Sequence, residues 1–186
     1  MKVKDLVFVA LFAALTAVLS LISIPMPGGV PITLQTFAVA LCGYMLGMWR
    51  GTLAVGIYIA IGAVGIPVFA GFRGGVSVLV GATGGFIFGF LFFALLCGLG
   101  MEVYKGKNHV IGTVIALAIG FCGLMVCHVL GGLQFGAVTG RKFGEAFLLA
   151  CLPYIPKDAV SLVLAYALAK AVRVRAPKLI GAKSKG

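Results

Sequence analysis

Long runs of uncharged apolar residues constrain this chain more than any other feature of its sequence. Residues 6–24 contain no charged side chain, and the run is about long enough to cross the hydrocarbon core of a bilayer. The chain is 62% hydrophobic and only 10% charged, whereas an ordinary soluble domain carries about 25% charged residues. The sequence therefore predicts an integral membrane protein, with residues 1–186 forming a single membrane domain.

A secretory signal peptide is the competing interpretation of the first apolar run. The run is longer than the apolar core of a typical signal, and the S-I-P-M-P-G-G that follows lacks an A-x-A-like cleavage site. We therefore interpret it as the first membrane helix. Along the whole chain we predict an all-α fold, a compact bundle of six transmembrane helices, at about 6–24, 34–48, 52–64, 84–103, 109–130 and 156–175.

Irregular segments rich in glycine and proline separate some of these helices. Residues 25–31 read P-M-P-G-G-V-P and predict a loop. Residues 65–85 are apolar but too rich in glycine for a plain helix, and residues 131–151 have a mixed composition. Non-helical backbone at membrane depth persists only where it is buried in protein or lines a cavity. We therefore expect these segments to line or cover a site.

The distribution of basic residues predicts how the bundle is oriented. Lysine and arginine number 15 against 4 acidic residues, and in a membrane protein such an excess indicates topology rather than nucleic-acid binding. Six spans place both termini on one side. If that side is cytoplasmic, it carries Lys2, Lys4, Arg50, Lys105, Lys107, Lys170, Arg173, Arg175, Lys178, Lys183 and Lys185, and the outer side carries only Arg73, Arg141, Lys142 and Lys157. We therefore predict a multi-pass protein of the cell membrane with cytoplasmic termini and outward-facing irregular loops.

Lys157 and Asp158 stand side by side where the last apolar helix begins. A charged side chain at mid-membrane costs roughly 2.5–3.5 kcal/mol on insertion scales, so such residues usually face a partner or a cavity. Pro156 suits a helix entrance, and an acid in the first turn suits the positive end of the helix dipole. Charge placement alone leaves two interpretations open: a capped helix whose charges lie among lipid headgroups, or a small-molecule site with one cation and one carboxylate.

Catalytic and metal-binding patterns are absent from the sequence. His109 and His128 are the only histidines and belong to no cluster with ligand spacing, so we interpret His128 as a hydrogen-bonded core residue. The odd number of cysteines lie in apolar runs without metal or disulfide spacing: Cys42, Cys97, Cys122, Cys127 and Cys151. No nucleotide-binding motif occurs. We expect neither an enzyme nor a cofactor, and any ATP hydrolysis must come from partner subunits.

With catalysis and metal binding set aside, the sequence favours the binding of a small molecule by polar groups at the outer loops. Arg73 or Lys157 suits an anionic ligand, whereas Asp158, Gln35 and Thr33 suit N–H groups of a urea-like or amide-like ligand. Pockets of this kind are mostly apolar with a few placed polar groups.

Four blocks of sequence, in this order, carry a family resemblance. They are V-P-I-T-L-Q-T-F-A-V-A-L-C-G at 30–43, G-I-P-V-F-A-G at 65–71, G-A-T-G-G-F at 81–86 and P-Y-I-P-K-D at 153–158. With these blocks the chain resembles the BioY family, the biotin-specific substrate-binding (S component) subunits of energy-coupling factor transporters. The resemblance implies a six-helix bundle that captures biotin from the outer side. It also implies partners: one membrane coupling subunit and two ATPase subunits.

The resemblance also implies roles for individual residues. Asp158 would accept the ureido N–H groups of biotin, and Lys157 or Arg73 would meet its carboxylate. The remaining implied contacts are hydrogen bonds from Gln35, Thr33 and Thr83, and ring packing by Phe37, Phe69 and Tyr154. On the first helix, the implied docking face for the coupling subunit consists of alanines spaced by four, Ala10, Ala13, Ala14 and Ala17.

Two positions depart from the pattern of the family. Its members often have glycine before the acid and lysine three residues after it, whereas here Lys157 precedes the acid and Ser161 takes the later place. Ala82 stands where proline is expected. Two alternatives stay open: an S component for a different vitamin, or a structural membrane protein that transports nothing.

Overall fold

The computed structural model describes residues 1–26, 28–104, 106 and 108–175. Within them the chain forms α1 Val3–Leu21, α2 Gln35–Leu46, α3 Met48–Ala63, α4 Val76–Val80, α5 Gly84–Val103, α6 His109–Thr139, α7 Phe143–Ala150 and α8 Ile155–Arg175. Two short strands, β1 Ser23–Ile24 and β2 Ile32–Thr33, complete the fold. Five of the basic residues used to predict orientation lie outside the described residues: Lys105, Lys107, Lys178, Lys183 and Lys185.

The two strands are the one departure from an all-α architecture. They pair antiparallel, with Ser23 opposite Thr33 and Ile24 opposite Ile32. A ladder this short has no hydrophobic period from which it could be predicted. Its effect is to fix the connection between α1 and α2, which places Thr33 directly before the first turn of α2.

The described helices are long enough for three or four membrane spans. Three of them, α1, α5 and α6, have the length and composition to cross a bilayer, and α7 with α8 adds a fourth if that pair, bent by 57°, is one span. The helices α2 and α3 have only 12 and 16 residues. A 12-residue helix is about 18 Å long, which is shorter than a hydrocarbon core of about 30 Å. The helical membrane class is therefore established, and the predicted six spans exceed this count.

Glycines shift one helix boundary away from its prediction. The fifth predicted helix was placed at 109–130, but α6 continues to Thr139. A Cβ on Gly131 would lie 2.3 Å from the Phe86 ring, and one on Gly132 would lie 3.3 Å from Cys151 Sγ. The glycines after residue 130 thus let α6 approach α5 and the α7–α8 connection closely, and they do not end the helix.

One end of the bundle gathers ionic contacts between helices. Arg50 Nη1 of α3 lies 2.7 Å from Asp5 Oδ1 of α1. Glu102 of α5 accepts a 3.0 Å hydrogen bond from the backbone N–H that begins α3, and Arg173 of α8 donates a 3.0 Å bond to a carbonyl near the end of α2. We call this the charged end. Because α2 and α8 both finish here, their first turns lie at the opposite end of the molecule.

Candidate functional site

A cavity opens at the end of the bundle opposite the charged end. The space between its walls, with the open mouth included, is about 670 Å³. The first turns of α2, α5 and α8, the segment at 69–83 and the middle of α6 enclose it. Its apolar walls come from Phe69, Phe86, Ile87, Phe90 and Leu124.

The first turn of α8 places two charges in the cavity wall. The backbone N–H of Asp158 donates to Tyr154 O at 2.9 Å, which starts the helix. Asp158 is only 5% exposed, and its Oδ1 forms an ion pair with Lys157 Nζ. The same ammonium donates to the backbone carbonyl of Thr33 at 3.0 Å. Both charges therefore line the cavity and have protein partners, which the buried carboxylate needs.

His128 of α6 is the third member of this polar cluster. Its Nε2 lies 3.2 Å from Asp158 Oδ2, and the two side chains are 3% and 6% exposed. The Phe86 ring packs edge-on against the imidazole, with centroids 5.9 Å apart. Among the described residues, neither ring nitrogen makes a hydrogen bond of acceptable geometry, so the imidazole lies close to the carboxylate without being aligned on it. We call Lys157, Asp158 and His128 the ionic cluster.

A hydrogen-bonded chain fixes the wall formed by α2. Gln35 Nε2 donates to the Tyr58 hydroxyl at 2.7 Å, and that hydroxyl donates to Val68 O at 3.3 Å. Phe69 packs edge-to-face on Tyr58 with centroids 5.6 Å apart. A Cβ on Gly62 would lie 2.2 Å from the Phe69 ring, so glycine at this position of α3 makes room for that ring.

Arg73 lies at the rim of the cavity in a tight loop. The backbones of Phe69 and Arg73 exchange two hydrogen bonds, of 2.9 and 3.2 Å, and Phe72 at the tip has a φ of 57°. Arg73 Nε donates to Ala70 O at 3.2 Å. None of the ion pairs found among the described residues includes Arg73. Its charge is therefore available to an anion that enters the cavity.

Gln134 of α6 anchors the short helix α4 and the turn after it. Its Nε2 donates to Leu79 O at 2.7 Å and to Gly81 O at 2.8 Å. Both carbonyls lie where α4 ends, so the amide satisfies acceptors that a helix terminus leaves unpaired. This contact positions Thr83, which lines the cavity.

Most of the side chains that the sequence nominated lie together in this cavity. They are Thr33, Gln35, Phe69, Arg73, Thr83, Tyr154, Lys157 and Asp158. Phe37 is the exception and needs correction, because it packs against the core and does not line the cavity. Gln35 and Thr36 line the cavity. Because each step along an α-helix rotates the side chain by about 100°, Phe37 is turned away from the cavity.

Several residues of the cavity wall were not predicted, among them Thr36, Phe86, Phe90 and His128. Phe86 and Phe90 supply the aromatic surface that was expected from Phe37. For His128 the only signal in the sequence is a lone polar side chain within an apolar helix, and burying such a group is costly unless it is hydrogen-bonded. We predicted that His128 is a hydrogen-bonded core residue. The residue is buried, but the prediction did not place it in the cavity wall.

The alanines of α1 divide between two faces of the helix. Ala10 and Ala14 are exposed, whereas Ala13 is 2% exposed and Ala17 packs against the core. The Thr16 hydroxyl lies 3.3 Å from Cys42 Sγ, so this inner face of α1 rests on α2. The expected docking face therefore needs correction: a partner can reach Ala10 and Ala14, but Ala13 and Ala17 face the interior.

Known proteins share this sequence and this fold. The BioY family profile matches residues 1–178. The "Probable biotin transporter BioY" of Pyrococcus horikoshii is 40% identical over 170 residues, which is 91% of this chain and 96% of that protein. The "Biotin transporter BioY" of Thermotoga maritima is 41% identical over 168 residues, covering 89% and 94% of the two chains.

A solved structure extends the likeness to three dimensions. The crystal structure of the S-component for biotin from an ECF-type ABC transporter superposes with a TM-score of 0.81 at 27% identity, covering 93% of this chain and 92% of that one. Sequence and fold agree along almost the whole length, and the chain belongs to the BioY family.

Proposed function

We propose that this chain is the substrate-binding membrane subunit that captures biotin from the outer side for ATP-driven uptake. Its relatives are named biotin transporters, and the matching crystal structure is a biotin S-component. The observation that carries the proposal is the ionic cluster, in which a half-buried cation lies beside a buried carboxylate and imidazole in the wall of a largely apolar cavity.

The ionic cluster suits the ureido ring of biotin. That ring presents two N–H donors and one carbonyl, and a carboxylate has about four acceptor positions on its two oxygens. Lys157 occupies one position on Asp158 Oδ1, and His128 lies beside Oδ2. The remaining positions on Asp158 accept the ureido N–H groups, in an orientation that the two protein partners hold fixed.

The valerate carboxylate of biotin meets Arg73 at the rim of the cavity. Lys157 is already paired with Asp158, whereas Arg73 has no carboxylate partner among the described residues. A guanidinium also binds a carboxylate through two parallel hydrogen bonds. Phe69, Phe86 and Phe90 then enclose the apolar ring system and side chain, and Gln35, Thr33, Thr83 and Tyr154 complete the wall.

In the membrane, we infer six crossings, with α2 and α3 as short spans and α7 with α8 as the last one. The tight turn at Gly47, with a φ of 84°, joins α2 to α3 at the charged end. Lys2, Lys4, Arg50 and Arg173 lie toward that end, and the excess of basic residues there favours the cytoplasm. Both termini are then cytoplasmic, and the cavity opens outward.

Energy for uptake comes from partner subunits in this proposal. The sequence has no nucleotide-binding motif, so a membrane coupling subunit with two ATPase subunits supplies the hydrolysis. Ala10 and Ala14 form a flat exposed strip on α1, and small residues at this spacing let another helix approach closely. We assign this strip to the coupling subunit.

Biotin titration of the purified full-length chain by calorimetry tests the function. We expect saturable binding, and we expect Asp158→Asn to weaken it by roughly fivefold to 150-fold, because one acceptor oxygen of the carboxylate becomes an N–H₂ donor. Glu145→Gln, which changes an exposed acid, should leave the affinity unchanged. Full affinity in Asp158→Asn would reject the assigned role of Asp158. Binding of another vitamin but not biotin would reject the substrate, and absence of any saturable ligand would favour a structural protein.

A further inference from the structure

Lys170 of α8 lies where two surface spaces meet, one helical turn before Arg173 and thus at the charged end. One space is a cleft of about 850 Å³ with a polar rim that includes Tyr104, Asn108 and His109. The other is a groove of about 900 Å³ between α6 and α8, whose walls are largely apolar side chains such as Leu117 and Val163. Both spaces are lined by Tyr166 and Lys170.

Neutral groups hold the Lys170 ammonium in place at this junction. Nζ donates to Thr113 Oγ1 at 3.0 Å, and the Tyr166 hydroxyl reaches the same oxygen at 3.0 Å. Nζ also lies 5.8 Å from the centroid of the Tyr166 ring. These contacts orient the ammonium across the seam between α6 and α8, but none of them neutralises its charge.

None of the acidic side chains of the described residues is placed to pair with Lys170. The sequence contains 4 acidic residues in all. Asp5 pairs with an arginine of α3, and Asp158 belongs to the ionic cluster. Glu102 accepts from the backbone that begins α3, and Glu145 lies in the first turn of α7, at the other end of the bundle. All four acids are in the described residues and no ion pair found there includes Lys170, so its ammonium is open to an anionic group of another molecule.

We propose that the seam between α6 and α8 binds an anionic phospholipid. The phosphate rests on Lys170, the rest of the headgroup fills the polar cleft, and an acyl chain follows the apolar groove. In a phospholipid the charged headgroup is joined directly to the hydrocarbon chains. In the same way, the cleft with the polar rim adjoins the apolar groove at Lys170. Basic pockets between membrane helices on the cytoplasmic side commonly bind such headgroups.

The lipid site is separate from both surfaces assigned above. The cavity of the ionic cluster lies at the opposite end of α8, and the exposed alanines lie on α1, which packs against α2 and α3. The lipid site and the cavity therefore share no lining residue. A failure of either proposal leaves the other standing.

Native mass spectrometry of the delipidated full chain tests the proposal with two lipids, dioleoyl-phosphatidylglycerol and dioleoyl-phosphatidylcholine. We expect the anionic lipid to bind about fivefold or more tightly than the zwitterionic one. Lys170→Gln should abolish this preference, Lys170→Arg should retain it, and Lys142→Gln, which removes an exposed lysine at the other end, should leave it unchanged. Equal binding of the two lipids, or an unchanged preference in Lys170→Gln, would overturn the proposal.

A second variant tests the groove while Lys170 stays intact. Ala167 is exposed and lines the groove, so Ala167→Trp should fill it and reduce phosphatidylglycerol binding without unfolding the chain, as checked by circular dichroism. Unchanged lipid binding in this variant would contradict an acyl chain in the groove. Competition by inorganic phosphate at concentrations equal to the lipid would show a free-anion site, and would also overturn the proposal.

Discussion

His128 Nε2 and Asp158 Oδ2 lie 3.2 Å apart although they belong to different helices, α6 and α8. With Lys157 on the other carboxylate oxygen, Asp158 is held from two sides. Such a carboxylate cannot rotate freely, so its remaining lone pairs point in fixed directions. Preorganisation of this kind reduces the entropy that a site loses when it orders around its ligand.

The first prediction concerns the imidazole of the ionic cluster. We expect His128→Ala to weaken biotin binding by roughly fivefold to 150-fold, because Asp158 loses a close polar neighbour and one buried oxygen is left less well satisfied. Calorimetry measures the change, and thermal unfolding shows whether the chain stays folded. His109→Ala, an exposed histidine at the start of α6, is the matched control. An unaltered affinity in folded His128→Ala would remove the imidazole from the site.

The second prediction separates Arg73 from the ionic cluster by changing the ligand. Biotinamide keeps the ureido ring but lacks the carboxylate, so Arg73→Gln should weaken the binding of biotin while leaving biotinamide nearly unaffected. The expected loss for biotin is roughly tenfold, since hydrogen bonds to charged groups contribute about 1.5–3 kcal/mol. Arg141→Gln serves as the control for net charge. If both ligands lose affinity equally in Arg73→Gln, this residue does not meet the carboxylate.

The third prediction tests the close contact between α2 and α5. A Cβ on Gly43 would lie 2.3 Å from Ala94 O and 2.7 Å from Cys97 Cβ, and backbone cannot rotate away. Overpacking costs about 1–3 kcal/mol and replacing a helical glycine recovers about 1 kcal/mol, so Gly43→Ala should lower the free energy of unfolding by up to about 2 kcal/mol. Gly144→Ala, with nothing within 4 Å, should be neutral or slightly stabilising. Equal stability of the two variants in detergent titrations would argue against this packing.

The fourth prediction distinguishes ligand capture from assembly. Ala14→Trp places a large ring on the exposed strip of α1, so we expect it to prevent co-purification of the coupling and ATPase subunits while biotin affinity stays unchanged. Ala118→Trp, an exposed alanine on α6, should assemble normally. A complete complex recovered with Ala14→Trp would move the docking surface away from α1.

The sequence predicted the parts of this protein that have a local signal. Apolar runs indicated the helices, and the adjacent charges of Lys157 and Asp158 raised the possibility of a site beside that of a headgroup-facing cap, because charge near lipid is costly. Eight nominated side chains came together in one cavity. His128 could not be predicted, because its partner Asp158 lies on another helix and only the packing of α6 beside α8 brings the two together.

Spacing alone also left the faces of helices undetermined. Ala10 with Ala14 and Ala13 with Ala17 show the same period, and only the packing of α1 on α2 decides which pair is covered. Gly131 and Gly132 looked like loop residues, yet their missing side chains admit the Phe86 ring and Cys151. In both cases the environment of a residue depends on a side chain or helix that is distant in the sequence, so spacing along the sequence cannot predict it.

The helix α8 carries Asp158 near one end and Arg173 near the other, roughly 22 Å apart along its axis. Asp158 borders the cavity, whereas Arg173 touches the carbonyl of Met45 at the turn between α2 and α3. Spin labels at the exposed positions Trp49 and Val174 should therefore change their separation when biotin is added, and a constant separation would disprove this link. Because α8 is continuous between these two contacts, a displacement of its first turn on biotin binding would reach the charged end.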